Sequence, residues 1–222
     1  VGTPTAGEVR QVMASYTETF SGFATRHHLS QKPIIALLAG SRRQEITDNL
    51  PAMIQAASRF HDYQLVLAGA PGIDASQYSR LIEGTGVSLV HNDTYALLSH
   101  ATLAVVTSGT ATLETALFGV PQVVCYKTPL PRFIAFCRRH VLKVKYISLV
   151  NLIADEEVVT ELVADTFSAE NIARCLADIM PGETGRQRML DGYRRVHDLL
   201  GDSNAPENAA RIMTDLLRRG KQ

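Results

Sequence analysis

The run Thr107-Ser108-Gly109-Thr110-Ala111-Thr112-Leu113-Glu114 sets a hydroxyl-rich turn between an apolar segment and a helical one. A helix that begins there offers the unpaired amides of Gly109, Thr110 and Ala111, and its dipole adds partial positive charge where phosphate oxygens would sit. Glu114 lies six residues beyond Ser108, about 9 Å along a helix axis. A carboxylate at that remove suits both hydroxyls of a ribose while the amides, with Thr107 and Ser108 beside them, hold a diphosphate. An ordinary Ser-capped helix with Leu113, Ala116 and Leu117 turned inward fits the same letters, and the local sequence leaves both readings open.

Gly40-Ser41-Arg42-Arg43-Gln44-Glu45 follows another apolar run. Its glycine permits close backbone approach. Arg42, at a helix start, carries the fixed and permanently charged donors that stabilise a leaving diphosphate; a surface pair with Glu45 or Asp48 is the competing expectation. Asn151, within Tyr146-Ile147-Ser148-Leu149-Val150-Asn151-Leu152, has an amide able to orient a ligand or to cap the next helix.

From 127 to 145, Lys127, Arg132, Arg138, Arg139, Lys143 and Lys145 are interleaved with apolar residues and no acid intervenes. Such a stretch suits an interfacial helix, with Arg132, Phe133, Phe136, Arg138, Arg139 and Lys143 meeting a membrane surface. Packing of the same apolar face on the core is the alternative.

Other chemistries lack their spacing. Ser108 has no GxSxG elbow around it, Gly84-Thr85-Gly86 precedes an apolar run where a dinucleotide fingerprint would follow one, and the seven histidines form no metal-ligand pattern, so neither metal nor cofactor is expected.

The elements that must position these residues follow from periodicity. Apolar runs at 34–38, 64–68, 87–90, 103–106 and 122–126 alternate with helical spacing at 45–60, 74–83, 94–99 and 108–118. Buried parallel strands joined by right-handed helical crossovers give a doubly wound α/β sheet of Rossmann type. Ligands bind such sheets beyond the carboxyl ends of the strands, where the turns 39–42, 68–72 and 107–110 emerge. Residues 6–28 read as one helix ahead of the first strand. The segment after 151 reads as helical, with Ser168 and Asn204 as helix starts and three helices in the carboxyl-terminal third. The expected division is a lead-in at 1–30, a binding body at 31–180, and carboxyl-terminal helices at 181–222 free to cross to a neighbouring domain or partner.

Composition bounds the partners. The 222 residues are 45% hydrophobic, enough for a large core, and carry 22 basic against 22 acidic side chains. A neutral chain has no global pull toward nucleic acid. Three widely spaced cysteines fit a reducing compartment better than a disulfide scaffold. Val1-Gly2-Thr3-Pro4, without an initiator Met, reads as the middle of a longer polypeptide.

Three motifs, Leu37-Leu38-Ala39-Gly40-Ser41-Arg42-Arg43-Gln44-Glu45-Ile46, the turn and helix from Thr107 to Leu117, and Tyr146-Ile147-Ser148-Leu149-Val150-Asn151-Leu152-Ile153-Ala154, together closely resemble lipid-A-disaccharide synthase in order and spacing. The likeness implies one half of a two-domain inverting glycosyltransferase of the GT-B type, the half that binds the nucleotide sugar. It implies UDP-2,3-diacylglucosamine as donor, 2,3-diacylglucosamine 1-phosphate as acceptor, and a place at the inner face of the inner membrane in a Gram-negative bacterium. An amino-terminal domain with the acceptor pocket and general base would precede Val1, and a homodimer stays open. By the same likeness Ser41 and Arg42 fall on the phosphate-side motif, Ser108, Gly109, Thr110 and Ala111 on the diphosphate turn, Glu114 on the ribose acceptor and Asn151 on a further donor-site position. Ala39, Val150 and Thr160 stand where the family usually has proline. A UDP-N-acetylglucosamine 2-epimerase and a non-catalytic nucleotide-binding module are the alternative readings.

Overall fold

The computed structural model describes residues 4–127, 145–201 and 213–214. The basic stretch falls largely in the remainder, so the membrane-facing expectation for Arg132, Phe133, Phe136, Arg138, Arg139 and Lys143 lies outside the described residues, as does the helix start expected at Asn204.

Six parallel strands form one sheet in the order β3-β2-β1-β4-β5-β6. They are β1 (Ile34–Leu38), β2 (Gln64–Gly69), β3 (Ser88–His91), β4 (Ala101–Thr107), β5 (Gln122–Tyr126) and β6 (Thr160–Val163). The helices α1 (Pro4–Ser15) and α2 (Phe20–Arg26) precede them; α3 (Arg43–Ala57), α4 (Ala75–Ile82), α5 (Thr94–His100) and α6 (Thr110–Leu117) connect the first five; α7 (Leu149–Ala154) leads into β6, and α8 (Ala169–Asp178) and α9 (Thr184–Leu200) follow it.

Strand side chains alternate between two buried layers. Ile35, Leu37, Leu65, Leu67, Leu103 and Val105 join one core with α3, α8 and α9. Ile34, Ala36, Leu38, Val66, Ala104 and Val106 join the other with Phe23 of α2 and Leu97 and Leu98 of α5. Because both faces are covered, β1, β2, β4 and β5 are largely apolar, which is why their runs were visible in the sequence. Met189, Tyr193 and Val196 of α9 belong to the same core as β1, so this helix packs on the body of the domain.

Two expectations are corrected. The span 6–28 is two helices, since Thr19 caps a new one by accepting the Gly22 amide at 3.2 Å. The segment after Asn151 contains β6, which among the described residues is an edge strand paired with β5 alone. Its polar, half-buried Thr160 and Glu161 break the apolar run that marks a central strand. The Ser168 start holds, with its side chain accepting the Asn171 amide at 3.1 Å.

Candidate functional site

The chain runs outward from β1 to β3 on one side of the sheet and, after β4, outward to β6 on the other. Between β1 and β4 the connections diverge to opposite faces, leaving a crevice at the carboxyl ends of these strands. All three turns expected there meet on one cavity of about 220 Å³, lined by Gly40 and Ser41, by Ala70 and Pro71, and by Thr107, Ser108, Gly109, Thr110 and Ala111, with Glu114 in the same wall.

The serine cap that the sequence also allowed is not formed. Gly109 is the N-cap of α6, and no side chain caps that helix. Ser108 does not bend back to the helix amides. Its hydroxyl donates to the Ile147 carbonyl at 3.0 Å instead. Gly109, Thr110 and Ala111, which open α6, line the cavity, and a helix start without a side-chain cap is a place where an anion can complete the amides. Gly109 has φ +153°, backbone that an L side chain rarely adopts. One turn further in, Thr112 anchors the loop by donating its hydroxyl to the Gly109 carbonyl at 2.8 Å.

Glu114 is half-buried in the cavity wall. Burial raises its pKa above the usual carboxylate range, the nearby Glu8 charge on α1 adds to the rise, and a side-chain hydrogen bond with Tyr95 opposes it. The Tyr95 phenol is in turn pushed up to about 12 by its own burial and by the Glu114 and Glu8 charges. A carboxyl whose folded-state pKa is raised contributes stability that is present below its ordinary value of 4.5 and is lost as pH rises through the raised value. Glu114→Gln, neutral at every pH, is therefore expected to melt with wild type in acid and above it at neutral pH. Parallel thermal melts across that range check the sign.

Arg42 sits at the rim with a side chain 81% exposed and pairs with Glu45 at 3.0 Å. Glu45 lines the cavity and also accepts the Ser41 amide at 3.2 Å, so in the ligand-free arrangement one carboxylate engages both members of the Ser41-Arg42 pair.

Asn151 is brought elsewhere. It is wholly buried: its Nδ2 donates to the Val159 carbonyl at 2.8 Å and to Glu161 at 2.9 Å, and its Oδ1 accepts the Val158 and Val159 amides at 2.8 and 2.9 Å. With those partners it has no polar atom to offer a ligand, and the helix cap considered for it belongs to Ser148, which accepts the Asn151 amide. Its connection to the cavity is indirect, because Glu161 also accepts the Ile147 and Ser148 amides and the Ile147 carbonyl holds Ser108.

Asn49 went unremarked in the sequence. Buried on α3, it donates Nδ2 to Thr107 Oγ1 at 3.3 Å and accepts the Lys127 amide at 2.8 Å, tying the ends of β4 and β5 together under the turn. The available signal was a lone amide in the inward stripe of Ile46, Leu50 and Met53.

The family model described as lipid-A-disaccharide synthetase matches residues 13–213. The chain belongs to the lipid-A-disaccharide synthase family. Curated relatives bearing that name include one from Acidobacterium capsulatum, 35% identical over 91% of this chain and 55% of its own length. Another, from Myxococcus xanthus, is 35% identical over 100% of this chain and 58% of its own length. The chain thus spans little more than half the length of these family members. Among solved structures, a co-structure of S. aureus MnaA with UDP superposes with TM-score 0.63 at 13% identity, covering 98% of this chain and 54% of that one. A spinosyn rhamnosyltransferase complexed with spinosyn aglycone superposes with TM-score 0.59 at 14% identity, covering 89% of this chain and 49% of that one. At such identities the likeness concerns the fold, that of a single Rossmann-type half of a GT-B protein.

Proposed function

We propose that this chain is the donor-binding half of a lipid-A-disaccharide synthase, which transfers 2,3-diacylglucosamine from UDP to 2,3-diacylglucosamine 1-phosphate with inversion. One observation carries the reading: an uncapped helix start and a carboxylate share a single cavity at the point where the sheet's connections diverge. In this reading the amides opening α6 receive the diphosphate and Glu114 accepts the ribose hydroxyls. Arg42, already exposed at the rim, leaves Glu45 for the departing phosphate and stabilises the charge that builds as the glycosidic bond breaks. Amides and a guanidinium do this electrostatically, so the reading calls for no metal or cofactor.

In this reading the attacking hydroxyl is the acceptor sugar's own, and its pocket and general base belong to the part of the family's length that this chain does not span. Membrane attachment at the inner face of the inner membrane is assigned to the basic stretch of 127–145, because both substrates carry acyl chains.

Titration calorimetry of UDP against wild type and Glu114→Ala tests the site. Loss of a charge-assisted contact costs about 1.5–3 kcal/mol, so the variant is expected to bind about tenfold to a hundredfold more weakly. Equal affinities would remove the ribose role from Glu114.

A further inference from the structure

The lead-in helix α2 is joined to the sheet through one arginine. Arg26 donates Nε and Nη2 to the two carboxylate oxygens of Glu18 at 2.9 and 2.6 Å, and Nη1 to Asp93 Oδ2 at 2.5 Å. His27 Nε2 lies 3.0 Å from the same Asp93 oxygen. Both side chains are firmly placed. Thr19 caps α2, Phe23 is wholly buried in the layer that holds Leu97 and Leu98 of α5, and the His27 ring rests against Phe23 with centroids 4.7 Å apart. Glu18 completes the clasp, itself accepting the Tyr16 hydroxyl at 2.8 Å.

The carboxylate held this way has a competing place to go. Asp93 is the N-cap residue of α5, and aspartate ranks among the best side chains for accepting the amides of a helix's first turn. Asp93 makes no such bond. The backbone beside it is pinned, with Asn92 left-handed at φ +59° and its amide donating to the Gly69 carbonyl at 3.2 Å, so the choice between cap and clasp falls to the Asp93 side chain. Thr94, the next residue, lines the cavity beside Ser108. One Cα step is about 3.8 Å. A carboxylate turned onto α5 therefore brings its charge to that wall, whereas one paired with Arg26 is neutralised and kept toward α2.

We propose that Arg26 and His27 are positioning residues for donor binding, which hold the Asp93 carboxylate off the first turn of α5 and so keep an unpaired negative charge away from the diphosphate, a role that rests on the nucleotide reading of that cavity. Neither residue lines the cavity; both act through Asp93.

Arg26→Gln/His27→Gln releases the carboxylate. UDP affinity, read by titration calorimetry at low salt, should fall about threefold to tenfold and by less at high ionic strength, while uridine, which carries no phosphate, should compete as it does in wild type. Adding Asp93→Asn, which keeps the shape and removes the charge, should restore UDP affinity. Matching urea melts establish that the variants fold. A clasp with only a structural role would weaken UDP and uridine alike and gain nothing from the asparagine, and that pattern would overturn the assignment.

The swing of Asp93 also has a readout free of nucleotide. Amide hydrogen exchange at Tyr95 or Ala96 should slow in the double variant as the freed carboxylate caps α5, and exchange at the wild-type rate would overturn the proposal. UDP binding that falls in Glu114→Ala but stands in Arg26→Gln/His27→Gln would refute the clasp and leave the nucleotide reading intact. A wild-type chain that binds no UDP would refute that reading, and the role of the clasp with it.

Discussion

Asn151→Ala is expected to lower the unfolding free energy by about 3–5 kcal/mol, because removing the amide strands several buried groups at once. The Val158 and Val159 amides lose their acceptor, and the Val159 carbonyl and Glu161 lose a donor. None can turn to water without opening the connection between α7 and β6. Urea melts followed by circular dichroism give the size of the loss. UDP titration of the folded variant separates this role from direct donor contact. Since Asn151 reaches the Ser108 turn only through Glu161 and Ile147, affinity should change by no more than a few fold, and a larger loss would return Asn151 to the donor site.

Gly40→Val is expected to cost about 2–5 kcal/mol, combining backbone strain with overpacking. Gly40 has φ +113°, and a Cβ built there would lie 2.6 Å from Glu45 Oε2 and 2.8 Å from Glu45 Cβ. The carboxylate end can swing aside, but the Glu45 Cβ is fixed by α3 and cannot. Displacing Glu45 also removes the acceptor that holds the Ser41 amide and loosens the turn lining the cavity, so UDP affinity should fall together with stability. Gly40→Ala should show both effects in weaker form, and an alanine variant with wild-type melting and wild-type UDP affinity would contradict the geometry.

The central fold was legible because a sheet covered on both faces must write its strands as unbroken apolar runs: Ile34–Leu38 and Gln122–Tyr126 were read to the residue. The edge escaped because β6 needs only half of its residues buried and uses Glu161 to hold the α7 connection. The site was legible where backbone does the work. Turns after strands can be counted from the sequence, and the Ser108 turn, the Gly40 turn and Glu114 do line one cavity. Asn151 was not legible, because an asparagine that binds a ligand and one that staples a loop are the same letter. What distinguishes them is whether carbonyls and amides eight residues away have already claimed it. Asn49 was hidden for a related reason: its partners, Thr107 and Lys127, are distant in sequence.

The hydroxyl of Ser108, by reaching across to the Ile147 carbonyl, has a kinetic consequence for an arriving anion. A loop already tethered at its first residue and at Thr112 has little wandering left to surrender, so capture should proceed at the pace of encounter, without waiting for a slow rearrangement. Stopped-flow traces would then stay single-exponential, with an observed rate that climbs linearly with nucleotide concentration and reaches no plateau.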